Sequence, residues 1–262
     1  MNVYQIISLS LGGVFAGFVN TLAGGGSIVS LSLLMLFGLD ANIANGTNRV
    51  AIIFQSLTSS ETFRSNKILD LKKGRMPVIA ATIGSLFGAW AATDLNKAIL
   101  EKVIAIVMLA MLFFIFYKPS SWLKGNPAKY DKPVSFADVV LFLAIGFYGG
   151  FVQVGIGYLL LAGLVLQLGF DLVKANAVKV FITLVYSPFA FFVFLWNGQV
   201  SWPHALPLAA GAVAGAYWAS HMAVKRGAGF VRWVLTAVVI ITSLQSFGIV
   251  SISSAIAKIF GQ

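Results

Sequence analysis

Ten apolar stretches, at roughly 3–22, 27–38, 43–62, 77–93, 98–117, 136–154, 156–168, 174–196, 204–222 and 229–249, take up most of the 262 residues. Most are about 20 residues long, the length at which an α-helix rising 1.5 Å per residue crosses a hydrocarbon core of about 30 Å. None shows the period-2 alternation of a membrane β-strand. Hydrophobic residues make up 59% of the chain and charged residues 10%, with a mean hydropathy of +0.91, more apolar surface than one soluble core can hide. The reading is an all-α integral membrane protein. Segments 27–38 and 156–168 are too short to cross, since twelve residues rise only about 18 Å. These two, the second and the seventh, are expected to be broken or re-entrant half-helices. No Lys or Arg precedes Arg49, so the first segment lacks the basic n-region of a cleaved signal peptide and reads as a helix.

The chain repeats itself. "GFVN" at 17–20 returns as "GFVQ" at 150–153, and "FGLDANIAN" at 37–45 returns as "LGFDLVKAN" at 168–176. Gly13 and Gly17 match Gly146 and Gly150, while Gly84 and Gly88 match Gly211 and Gly215, four small-xxx-small faces on which helices can approach closely. Those faces could pack within one chain or between two, so a homodimer is an alternative. The polar stretch "KPSSWLKGNPAKYDKP" at 118–133 divides the halves. The expected organisation is a first repeat over 1–117, a basic linker over 118–134, a second repeat over 135–250 and a tail over 251–262.

Charge sets the expected orientation. The 63–77 loop carries Arg64, Lys67, Lys72, Lys73 and Arg75, whereas its counterpart at 196–204 has no Lys or Arg. The next pair reverses the bias, with 93–102 neutral and its counterpart holding Lys225, Arg226 and Arg232. With the three basic regions in the cytoplasm, each half crosses an odd number of times. The halves are then inverted-topology repeats of about five helical segments each, with both termini outside. This placement accounts for the net charge of +10 without nucleic acid as a partner. The absence of cysteine excludes disulfides, thiolate ligands and any relay of sulfur on protein thiols.

An inverted repeat with a glycine-broken short helix in each half points to a secondary transporter whose substrate binds near the midplane. Gly24, Gly25 and Gly26 precede the first half-helix, which begins near Ser27, and Gly155 and Gly157 mark the second break. Bare N–H groups at such N-termini suit an anion; the alternative is that the glycines serve only close packing or a kink. Two basic residues lie at membrane depth, where charge is expensive. Arg49 follows Asn45 by four residues and Lys179 follows Asn176 by three, so each shares its asparagine's helix face. Both cations, both amides and both half-helix starts would converge on a small oxyanion, with Thr47, Asn48, Asn20 and Gln153 as neutral donors. The competing reading pairs Arg49 with Asp40 and Lys179 with Asp171 as structural locks, although both aspartates sit first of all where N-caps belong.

The stretches "GFVNTLAGGGSIVSLSLLMLFGLDANIANGTNRVAI" (17–52) and "GFVQVGIGYLLLAGLVLQLGFDLVKANAVKV" (150–180) resemble the sulfite exporter TauE/SafE family of bacterial membrane proteins, a likeness covering nearly the whole chain. The resemblance implies a polytopic exporter of small sulfur-containing anions, such as sulfite or sulfoacetate, in the bacterial inner membrane. The alternatives are import of such an anion, or an anion channel of the same fold. No cofactor is implied. Enzymatic chemistry is not expected, because neither histidine has a motif tying it to Ser27 and no metal-ligand spacing occurs.

Overall fold

A computed structural model describes residues 1–93 and 125–246. The expected segment at 98–117, most of the 93–102 loop, the first part of the linker and the tail at 251–262 lie outside the described residues. Among the described residues the chain is helical, with no strand. The elements are α1 (Val3–Leu22), α2 (Ser27–Leu36), α3 (Ala41–Ser65), α4 (Arg75–Ala92), α5 (Pro127–Tyr130), α6 (Phe136–Phe151), α7 (Ile156–Ala162), α8 (Leu172–Trp196) and α9 (Trp202–Ser246). α7 continues as a π-helical turn over Gly163–Gln167. α9 is broken at Gly227 (φ 70°, ψ −164°), between the two apolar segments expected at 204–222 and 229–249.

Local chemistry fixes the starts. Asn2 with Gln5, and Ser135 with Asp138, form capping boxes at α1 and α6. The Asp171 side chain accepts from the N–H groups of Val173 and Lys174 and caps α8. Asp40 holds the same position before α3, yet its side chain takes no capping bond. α2, at ten residues, rises about 15 Å, half a membrane crossing.

The four small-residue faces are filled within the chain, in two reciprocal pairs. Gly13 and Gly17 of α1 lie against Leu208 and Ala212 of α9, while Gly211 and Gly215 of α9 lie against Ser10 and Val14 of α1. α4 and α6 repeat the arrangement: Gly84 and Gly88 touch the backbone at Leu143 and Phe147, and Gly146 and Gly150 touch it at Ala81 and Ser85. In both pairs the contacts advance together along the sequence, so the paired helices run parallel. A methyl added at Gly84 would stand 2.0 Å from the Leu143 carbonyl oxygen, so nothing larger than glycine fits.

α3 and α8 cross the middle in opposite directions. At the end where α3 begins and α8 finishes, Asn42 Nδ2 and Gln199 Nε2 both donate to the Thr93 carbonyl (3.2 and 2.9 Å), and the Ser201 N–H donates to Thr47 Oγ1 (2.9 Å). At the other end, Lys73 Nζ donates to the carbonyls of Lys129 (2.5 Å), Tyr130 (2.7 Å) and Leu168 (3.1 Å). The Tyr130 hydroxyl donates to Asp70; burial, reinforced by that bond, pushes the phenol up to about 12. This basic loop, α5 and the exit from the π turn form one knot.

The perimeter is apolar. α1 and α8 are each long and apolar enough to cross a membrane. Trp90, Trp196 and Trp202, exposed by 74%, 92% and 47%, ring the end where α3 begins, the position of an interfacial aromatic belt. Apolar helices with apolar outer faces fit a multi-pass membrane protein.

Candidate functional site

The glycine triplet answers to three different neighbours. A Cβ on Gly24 (φ 99°) would lie 2.2 Å from Gly157 Cα, one on Gly25 would lie 2.1 Å from the Tyr158 hydroxyl, and one on Gly26 would lie 2.2 Å from the Ala16 carbonyl oxygen. The two breaks therefore cross with their backbones in contact, Gly24 against Gly157. Gly155, in the left-handed region at φ 73°, is the N-cap of α7. The donors at the start of α2 are not bare as expected. Asn20 Oδ1 accepts from the Ser27 N–H (3.1 Å), and the N–H groups of Ile28 and Val29 donate to the Gly25 and Gly26 carbonyls. Asn20 thus caps the half-helix across the break, and its Nδ2 donates to Ser27 Oγ at 3.3 Å.

Both intramembrane cations are buried, Arg49 fully and Lys179 at 2% exposure. Neither forms the pair with an aspartate that the competing reading gave it. Among the described residues the ion pairs are Glu61 with Arg64 and Asp171 with Lys174, the latter at 3.8 Å. Instead each cation binds the last carbonyls of the first helix of the other half. Lys179 Nζ donates to the Asn20 and Thr21 carbonyls at the end of α1 (2.9 and 2.8 Å). Arg49 donates to the Gly149 and Gly150 carbonyls at the end of α6 and to Gln153 Oε1 (2.8 Å), with its guanidinium 4.6 Å from the Phe194 ring centre. Asn45 completes that end by donating to the Phe151 carbonyl (3.0 Å). The last carbonyls of a helix have no partner within it and carry the negative end of its dipole. These carbonyls, in place of a carboxylate, are what compensates each buried cation.

Between the crossing and the middles of α3 and α8 lies a small, half-open cavity. Of the residues expected at the site, Asn20, Gly24, Ser27, Gln153, Gly157 and Lys179 line it. Arg49 is one layer removed, joined to the cavity through Gln153, whose Nε2 donates to the Tyr186 hydroxyl (3.2 Å). Gln153 holds φ at 64°, a conformation that costs a non-glycine residue about 1 kcal/mol or more and that clusters at functional sites. Thr47 is engaged at the far end of α3 by Ser201. Asn48 and Asn176 are buried with no hydrogen-bond partner on either side-chain atom among the described residues, and neither lines the cavity.

The sequence reading passed over Thr21, Gln55, Ser56 and Thr183, which supply further polar lining. A signal for two of them existed: Asn45, Asn48, Gln55, Ser56 and Ser59 recur at helical spacing and form one polar stripe on α3. Among the described residues no carboxylate lines the cavity, and Lys179 is the one basic residue that does. An ammonium has three donors. Two go to carbonyls, and one is left for whatever enters.

No solved structure matches the chain significantly. Among curated proteins it is 26% identical over 231 residues to a probable membrane transporter protein of a Sinorhizobium species, covering 88% of this chain and 87% of that one. It is 26% identical over 220 residues to a probable membrane transporter protein of Haemophilus influenzae, covering 84% and 86%. The probable membrane transporter protein YfcA of Escherichia coli K12 is 22% identical over 251 residues, covering 94% and 91%. The sequence model of the family described as sulfite exporter TauE/SafE matches residues 9–246, and by that match this chain belongs to the TauE/SafE family.

Proposed function

We propose that this protein is a secondary transporter of small sulfur-containing anions such as sulfite or sulfoacetate, and that it exports them. The observation that carries the reading is the cavity at the crossing of two interrupted helices, lined by a buried lysine and by no carboxylate among the described residues. Discontinuous helices meeting at mid-membrane are how secondary transporters hold ions and substrates. The reciprocal glycine contacts and the opposed directions of α3 and α8 support two inverted repeats, over 1–117 and 135–250, that alternate access by rocking. Placing the basic loops Phe63–Pro77 and 118–134 in the cytoplasm puts the N-terminus of α1 outside. Outward movement of one negative charge across 100 mV, inside negative, yields about 2.3 kcal/mol, so export needs no coupled ion.

Proteoliposomes loaded with sulfite or sulfoacetate, with an imposed potential, test this. Wild-type protein is expected to release the anion at a rate that tracks voltage. Lys179→Met is expected to lose the flux while remaining folded. Flux indifferent to Lys179, or driven only by a pH gradient, overturns the mechanism.

A further inference from the structure

The end of α1 is built as a cradle that does not depend on the lysine lying in it. The Asn20 side chain is pinned to the start of α2 by Ser27, whose N–H donates to Oδ1 at 3.1 Å. Thr21 Oγ1 is hydrogen-bonded to Ser59 Oγ of α3 at 2.9 Å, and both residues are buried. Two neighbouring elements thus hold the α1 terminus in place, and the carbonyls of the same two residues take the Lys179 ammonium at 2.9 and 2.8 Å. Last-turn carbonyls carry the negative end of a helix dipole. Where discontinuous helices meet in secondary transporters, such carbonyls coordinate the coupling Na+ or H+. In this chain a side chain from the opposite half occupies that place. Arg49 fills the corresponding place on α6, but it is walled in; of the two cations only Lys179 lines the cavity.

Resting on the reading above that the cavity binds an anion, we propose that the Asn20 and Thr21 carbonyls form a monovalent-cation subsite beside it, filled from within by Lys179, so that the anion meets a tethered counter-cation and needs no Na+. A co-transported Na+ would cross with the anion and cancel part of the driving voltage. Here the ammonium stays with the protein, and the anion alone carries charge across. Removing the lysine side chain beyond Cβ leaves the cradle standing, since its other bonds go to Ser27 and Ser59. The group removed has the shape and charge of an n-propylammonium ion.

The test is calorimetric titration of the detergent-purified full chain with sulfite and with sulfoacetate. On the wild type, replacing sodium by choline at constant ionic strength is expected to change affinity by less than about twofold. Lys179→Ala is expected to bind at least about tenfold more weakly in choline. Added n-propylammonium is expected to bring the variant back to within about threefold of wild type and to leave the wild type unchanged. n-Propanol, which fills the same space without the charge, is expected to restore nothing. Sodium-dependent binding by the wild type, a cooperatively melting Lys179→Ala that n-propylammonium fails to restore, or equal restoration by n-propanol overturns the proposal while the anion site stands. A Lys179→Ala that binds both anions as tightly as wild type without any amine, or a wild type that binds neither, removes the anion reading and this proposal with it. The sodium comparison needs no variant and decides the matter even where Lys179→Ala does not fold.

Discussion

The two halves use one device to different ends. In each, a cation in the first half of the central helix reaches across and holds the C-terminal carbonyls of the other half's first helix, Arg49 on α6 and Lys179 on α1. Arg49 is walled in by Gln153 and Phe194 and has Asn45 working beside it on the same helix end. Lys179 stands at the edge of the cavity, and the side chain of Asn176, which matches Asn45, makes no hydrogen bond among the described residues. Arg49 is enclosed on every side by the protein, whereas Lys179 borders the cavity.

The sharpest way to break this contrast is Arg49→Met. It strands two helix-end carbonyls and Gln153 Oε1 with no water to take them, and is expected to lower stability by on the order of 3–5 kcal/mol, read as a collapsed melting temperature in detergent. A variant that melts normally and only loses flux would make Arg49 a ligand group and erase the distinction. Lys179→Met should act the other way round, weakening anion binding by at least about tenfold in titrations while destabilising by about 1–2 kcal/mol, because the half-open cavity lets water reach the Asn20 and Thr21 carbonyls. Tyr186→Phe removes the partner of Gln153 Nε2 and should cost about 1 kcal/mol, a modest shift in melting with binding retained. The smallest test compares the two N-cap positions. Asp171→Ala should cost about 1 kcal/mol and Asp40→Ala less than about 0.5 kcal/mol, since the Asp171 side chain alone of the two takes capping bonds; equal losses would restore symmetry at that point.

Much of this was legible from the sequence. Length and hydropathy placed α1 at 3–22 exactly where it lies, and α3, α6 and α8 within a few residues, because apolar runs bounded by glycine, proline and aspartate leave few alternatives. The half-helices and the glycine faces were legible for the same reason, as the small residues recur at matched positions in both halves. The partners of Arg49 and Lys179 were not. Side-chain reasoning searches for acids, and the true acceptors are backbone carbonyls, which every residue carries and no sequence letter marks. The contact of Gly24 with Gly157 was hidden likewise, being set by how two distant segments cross. Gln55 was overlooked because one amide in a spanning helix reads the same whether it faces a neighbour or a void.

The interlocked glycines of α1 with α9 and of α4 with α6 leave no slack between backbones, so each couple must travel as a single stiff beam. On the rocking mechanism proposed above, any swing that closes one mouth and opens the other falls to the seams around α3 and α8. Clamping one of those seams with a crosslink would freeze turnover, whereas a crosslink within either beam would go unnoticed.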